Sequence, residues 1–277
     1  MTSSSTTTYA SPPSFVTATG SALPPPSKIA VAGPYSQSKK PDTLDKTVAF
    51  LAKRDGIDKV LKLIRYTTKL VLASALADSK SDLALRLKAF ESSIGTSRKA
   101  YRLGKWLANV NAIRKMPLTT RFSYLEWLAS GGEGVYYFVE QLTWLVKAGV
   151  IPQQYARRFS LISAWAELVG YVGSITLCAL RIAAALEREH ALTEELHRRK
   201  KEGEQAEYGD SQLRAEVRAL QERRLLRTLA LTQDISDALL AIADIRDGKG
   251  RLSNPVLLAS GGLLSGIISA RKNWLAL

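Results

Sequence analysis

Cys178, His190 and His197 are the only cysteine and histidines in this 277-residue chain, and they bound the covalent and transition-metal chemistry open to it. The two histidines stand seven residues apart on a charged stretch, roughly on one helix face. With no cysteine ligand beside them, that spacing reads as solvated rather than metal-holding. Cys178 sits in an apolar run with no histidine neighbour in sequence, which suits a small buried hydrophobe better than a nucleophile. No phosphate loop, Gly-x-Ser-x-Gly elbow or His-Glu-x-x-His pair occurs. The sequence predicts no enzyme, no metal site and no cofactor.

What remains is anion binding by cations. Lys and Arg number 39 against 25 Asp and Glu, a net charge of +14, and such an excess attracts nucleic acid or a lipid surface. The excess is densest in "TSRKAYRLGKWLANVNAIRK", residues 96–115, which holds six basic residues and no acid. At ~100° per residue, Leu103, Trp106, Leu107 and Val110 fall on one side of a helix and Arg98, Arg102, Lys105 and Asn109 on the other. Lys99 and Arg114 lie toward the apolar side, where long stems can snorkel. Such a wheel has three physical readings. It is a core stripe with a solvated basic face, a nucleic-acid contact, or a helix lying in a membrane surface with cations on the headgroups and Trp106 at interfacial depth. The basic residues match no helix-turn-helix, zinc-finger or base-stacking pattern, so nucleic acid is not an expected partner.

The elements that must position this stretch are helical. Residues 1–40 are rich in Ser, Thr, Pro and Ala and read as a disordered tail without the apolar run of a secretory leader. From residue 41 the spacing is helical: Leu44, Val48 and Leu51, then Ile57, Val60, Leu61, Ile64 and Val71, with "RDG" between them and Asp55 as a helix cap. A further helix is expected over residues 82–91, loosened from the next by Gly95, and the basic helix itself over 93–116, stopped by Pro117. No sustained alternation or hairpin signal appears, so the fold class is all-α.

Three later segments are apolar enough to be weighed as membrane spans: residues 134–151, 161–180 and 255–270. The first contains Glu140 and Lys147, the second Glu167, and the third the small-residue pair Gly262 and Gly266, which permits close helix approach. Each falls short of the ~20 apolar residues that cross a bilayer comfortably, and a buried core helix is the competing reading. Between the last two, residues 181–254 carry 14 basic and 14 acidic side chains and read as a charged helical loop. If 161–180 and 255–270 both span with that loop on one side, Arg157, Arg158, Arg271 and Lys272 share the other side, cytosolic by the positive-inside bias.

The stretches "TLDKTVAFLAKRDGIDKVLKLIRYTTKL", "FESSIGTSRKAYRLGKWLANVNAIRK" and "YYFVEQLTWLVKAGVIP", with the apolar C-terminal segment, together resemble the peroxin-11 family of peroxisomal membrane proteins, especially its plant members. The resemblance covers nearly everything after Lys40. It implies a multi-pass helical protein of the peroxisomal membrane, with both termini cytosolic, that elongates and proliferates peroxisomes before division. It also implies a basic amphipathic helix that enters an anionic phospholipid leaflet. By position, Arg98, Lys99, Arg102 and Lys105 would be its lipid-facing cations and Leu103, Trp106, Leu107 and Val110 its wedge. Self-association, a fission adaptor and a dynamin-related GTPase are the partners it implies. A channel for small metabolites, with Glu140, Lys147 or Glu167 facing a pore, and a soluble basic helical scaffold are the alternatives.

Overall fold

A computed structural model of the chain describes residues 42–76, 81–117, 119, 122–202 and 207–277; the Ser/Thr/Pro-rich tail lies outside them. The described residues form eight α-helices and no strand: α1 (Thr43–Ala52), α2 (Arg54–Ser74), α3 (Asp82–Tyr101), α4 (Trp106–Lys115), α5 (Ser123–Lys147), α6 (Ala156–Glu202), α7 (Glu207–Ile245) and α8 (Pro255–Leu275). This is the all-α architecture that the spacing predicts.

Local chemistry explains most of the boundaries. Asp42 caps α1 and exchanges hydrogen bonds with Asp45 in a capping box. Asn254 accepts from the Val256 and Leu257 amides to start α8, with Pro255 in the first turn. α2 begins at Arg54, so Asp55 lies inside its first turn rather than capping it. Gly95 does not interrupt α3. The basic stretch is not one helix over 93–116, because the chain turns at residues 102–105, where Gly104 takes φ +73°. A left-handed residue of this kind ends a helix cheaply only when it is glycine.

α5 and α6 cross where glycine is required. A Cβ on Gly132 would stand 2.5 Å from the Gly170 amide nitrogen, and one on Gly173 would stand 2.8 Å from that of Ala129. α6 and α7 form a long antiparallel hairpin, tied by Arg157 to Asp247 at 2.7 Å, Ser174 to Asp234, Cys178 to the Arg227 carbonyl at 3.2 Å, and Arg188 to Glu216 at 3.2 Å. α8 returns along α7 and packs on α2. There the Tyr66 ring would be 2.1 Å from a Cβ on Gly262, and the Leu63 side chain 3.0 Å from one on Gly266.

α7 carries the chain back along the bundle before α8 begins, so Arg271 and Lys272 lie at the opposite end from Arg157. Phe50 rests on Trp274, with ring centroids 5.8 Å apart. Arg181 pairs with Glu126 at the start of α5. The start of α2, the start of α5 and the end of α8 therefore meet at the end of the bundle from which the α6–α7 hairpin projects.

Many large apolar residues face outward. α5 exposes Trp127, Leu128, Val135 and Phe138, α6 exposes Ile162, Trp165, Val169 and Val172, and α8 exposes Leu257, Leu264 and Ile267. On α6 these positions recur at three- and four-residue steps, and on α5 and α8 at steps of three and seven apart from the adjacent pair Trp127 and Leu128, so each set keeps to one side of its helix. The buried faces hold Leu125, Tyr137, Val139 and Val146 of α5 and Leu177 of α6, with small and polar residues beside them: Ser163, Ala164, Ser236, Asp237, Ala259, Ser265 and Ser269. Contiguous exposed apolar stripes of this kind are rare on water-soluble monomers. Among the described residues, one helical stretch, Gln153–Lys201, is long and apolar enough to cross a membrane, and only 28% of its most apolar window is buried.

Candidate membrane-contact site

Asp58 anchors the interior of this bundle. It lies on the inner face of α2, 1% exposed. Arg98 Nε donates to it at 3.0 Å and Arg102 Nε at 3.1 Å, both reaching from the end of α3, while Lys59 lies 3.5 Å away. Burial alone pushes the Asp58 carboxyl up; Arg102, Arg98 and Lys59 outweigh it and hold the group well below the usual carboxylate range. Burial lowers the neighbouring Lys59 to about 8, with Asp58 opposing and Lys105 assisting.

Arg102 spans from Asp58 to α5. Its Nη1 donates to Glu140 at 3.2 Å and to the Tyr136 hydroxyl at 2.8 Å, and Tyr136 in turn donates to Glu140 at 3.2 Å. Lys99 reaches the same carboxylate at 3.4 Å. Lys105 pairs with Asp55 at 3.2 Å and lies 4.9 Å from the centre of the Tyr137 ring. The four cations expected to meet lipid headgroups are thus turned into ion pairs with α2 and α5. Carboxylates on those two helices supply the partners that a wheel of one segment does not display.

With the cations inside, the apolar stripe must point out. Leu103, Leu107 and Val110 are each half or more exposed, at 54%, 55% and 50%. Trp106 is half-buried and meets Phe138 edge-on, with centroids 5.6 Å apart. Asn109 sits against Gly134, where a Cβ would be only 3.2 Å from its own Cβ. α4 therefore runs antiparallel to α5 along the half nearer the hairpin, and its stripe adjoins the outward stripe of α5. Gly262 and Gly266 serve contact within the chain, between α8 and α2.

A second polar cluster continues inward. Lys62 donates to Asp237 at 2.9 Å and to Ser265 at 2.6 Å, and Ser265 donates to Asp237 at 2.6 Å. Lys62 and Asp237 border a cavity of about 430 Å³ between α2, α3, α5, α6 and α7, lined also by Arg65, Glu167, Tyr171 and Asp234. Glu140 and Glu167 face it; Lys147 lies exposed at the end of α5 instead. The sequence alone offers Asp58 as a carboxylate near the positive end of a helix, and it does not show Asp58's ion pairs, Tyr136 or the Lys62–Asp237–Ser265 cluster. The only local sign of those ion pairs is a carboxylate set among Arg54, Lys59 and Lys62. Among the described residues no group of three or more metal-ligating side chains converges.

Comparison with known proteins gives the context for this geometry. The family profile described as Peroxisomal biogenesis factor 11 (PEX11) matches residues 44–274. The chain is 41% identical over 242 residues to Peroxisomal membrane protein 11A of Arabidopsis thaliana, covering 87% of this chain and 96% of that one. It is 46% identical over 233 residues to Peroxisomal membrane protein 11-3 of Oryza sativa subsp. japonica, covering 84% and 89%. To Peroxisomal membrane protein 11B of Arabidopsis thaliana it is 33% identical over 234 residues, covering 84% and 98%. No solved structure matches it.

Proposed function

The chain belongs to the peroxisomal biogenesis factor 11 family, and from that premise we propose that it is a multi-pass protein of the peroxisomal membrane that bends and elongates it, promoting proliferation and division. The observation that carries this reading is the outward stripe of Leu103, Leu107 and Val110, continuous with the outward apolar faces of α5 and α6. Exposed apolar patches this extensive mark a partner surface, a membrane or another protein, and in a chain of this family the membrane is the partner we assign. In this reading α5, α6, α7 and α8 cross the bilayer, α4 is the wedge in one leaflet, and no catalytic step is involved. Arg98, Lys99, Arg102 and Lys105 fasten the wedge to the bundle. Lys99 and Lys105, the more accessible of the four, also reach anionic headgroups. Self-association and recruitment of a fission adaptor and a dynamin-related GTPase complete the proposal.

The test is reconstitution of the whole protein into anionic vesicles, read by electron microscopy. A variant carrying L103S, L107S and V110S together loses three large apolar contacts, each worth roughly 1.5–3 kcal/mol when fully buried. It should remain membrane-embedded and lose tubule formation. Undiminished tubulation would remove the wedge reading.

The cavity supports a second reading, a passage for small polar metabolites with Glu140 and Glu167 on its wall. Solute-dependent conductance in the same vesicles, altered by E167Q, would carry it; vesicles that stay tight would end it.

A further inference from the structure

The α6–α7 hairpin does not stand where a two-span reading of the sequence puts it. In that reading, residues 181–254 form a loop on the membrane side opposite the end of the chain. The contacts argue otherwise. Arg181 meets Glu126 at the start of α5 and accepts, through its carbonyl, a hydrogen bond of 3.0 Å from Arg227. That level of the bundle is also the end of α8. Ser265 meets Asp237 halfway along, and α8 then runs on beside the part of α7 that descends toward Arg227. α1 is held at the same end by Phe50 on Trp274. Beyond Arg181, α6 continues for 21 residues to Glu202, about 30 Å at the 1.5 Å rise of an α-helix. Beyond Leu186 this extension leaves the exposed apolar stripe of α6 behind. Its ion pairs are charged and partly exposed: Arg188 with Glu216 at 3.2 Å, and Arg224 with Glu189 at 3.4 Å.

The geometry points to a sidedness: the charged hairpin beyond Arg181 and Arg227 projects from the same face of the membrane as α1 and the C-terminal end of α8, and the short connection at residues 246–254 lies on the opposite face. The reason is parity. α6 crosses away from Arg157, α7 crosses back to Asp247, and α8 crosses again, so the hairpin and the end of α8 are two crossings apart. Hydropathy alone hides the crossing by α7, because its inner face carries Asp234 and Asp237, each satisfied inside the bundle by Ser174 or by Lys62 and Ser265. The hairpin is therefore a rod about 30 Å long in the compartment that receives the end of α8.

This inference rests on the membrane embedding proposed above, and its test separates the two. Replacing the single cysteine by C178S gives a background on which A191C, K249C and L277C report the hairpin, the opposite connection and the end of α8. Intact peroxisomes are treated with a membrane-impermeant maleimide, then again after detergent. The expected result is that A191C and L277C label alike while K249C behaves oppositely. Labelling of A191C and L277C on opposite faces overturns the sidedness while the embedding stands. Labelling of all three on sealed organelles, with release of the protein by alkaline carbonate, overturns the embedding and the sidedness with it.

Discussion

Replacing Asp58 by Asn tests whether the buried ion pairs position the wedge. The change preserves side-chain shape and removes the one charge that two guanidinium groups share. Arg102 keeps Glu140 at 3.2 Å and the Tyr136 hydroxyl at 2.8 Å. Arg98, itself 5% exposed, has Asp58 as its ion-pair partner at 3.0 Å and no other among the described residues. Most of the loss therefore falls on Arg98. Leaving one member of a buried pair unmatched costs about 3–5 kcal/mol, a large share of the ~5–15 kcal/mol that holds a folded domain together. The assay is unfolding of the purified protein in mild detergent, followed by tryptophan fluorescence and by proteolysis between α2 and α3. D58N should lower stability by about 3 kcal/mol or more. Adding R98M removes the stranded charge, so the double variant should be more stable than D58N alone, with a coupling of about 1.5 kcal/mol or more. If D58N lies within about 1 kcal/mol of the unaltered protein, or the two changes simply add, then Asp58 does not organise this end of the bundle.

Two further substitutions probe the glycines. G262V drives a branched side chain into the Tyr66 ring, which would lie 2.1 Å from the new Cβ; it should cost about 2 kcal/mol or more, and adding Y66A should recover part of that in the same unfolding assay. G104A places a Cβ at φ +73°, which disfavours the turn by about 1 kcal/mol and favours a continuous helix; a peptide of residues 93–116 carrying it should show more helix by circular dichroism on anionic vesicles than the unaltered peptide, and an equal or lower helix content would contradict the account of the turn.

What the sequence disclosed and what it concealed follow from the range of the interactions. Helix existence is a short-range property, so the spacing of Ile57, Leu61 and Ile64 and the Pro255 start of α8 were legible. The separation of Leu103, Leu107 and Val110 from Arg98 and Arg102 was legible too, because both faces are written within one segment. Which face turns outward was not, since that depends on carboxylates contributed by Asp58 and Glu140, 40 and 38 residues away from the arginines they hold. In water the charged face is the outer one by default; beside lipid the preference inverts, and a helical wheel is the same in both. The crossing at Gly132, Gly170 and Gly173 was hidden for a similar reason, because a small residue shows its purpose only when the opposing backbone is known. The break at residues 102–105 had a visible agent in Gly104, yet the amphipathic periodicity on either side of it concealed the turn.

The position of α4 joins the wedge to the sided hairpin. α4 has ten residues, about 15 Å of helix, roughly half the ~30 Å hydrocarbon thickness of a bilayer. It lies against the half of α5 that begins near Glu126, where Arg181 marks the base of the hairpin. An added helix that is only half a membrane long widens the protein in one leaflet and not in the other. Lipids in the wider leaflet must spread around it, and the sheet curves toward that side. On the wedge and sidedness proposed above, the fold would set the direction of bending, with the membrane bulging toward the face that carries the hairpin and the end of α8. In that proposal the Asp58–Arg102–Glu140 ties matter because a wedge free to float would relax the strain it creates, whereas one fastened to spanning helices would pass that strain to the bilayer. For that reason the Leu103, Leu107 and Val110 triple variant should keep its place in the membrane while losing its power to bend it.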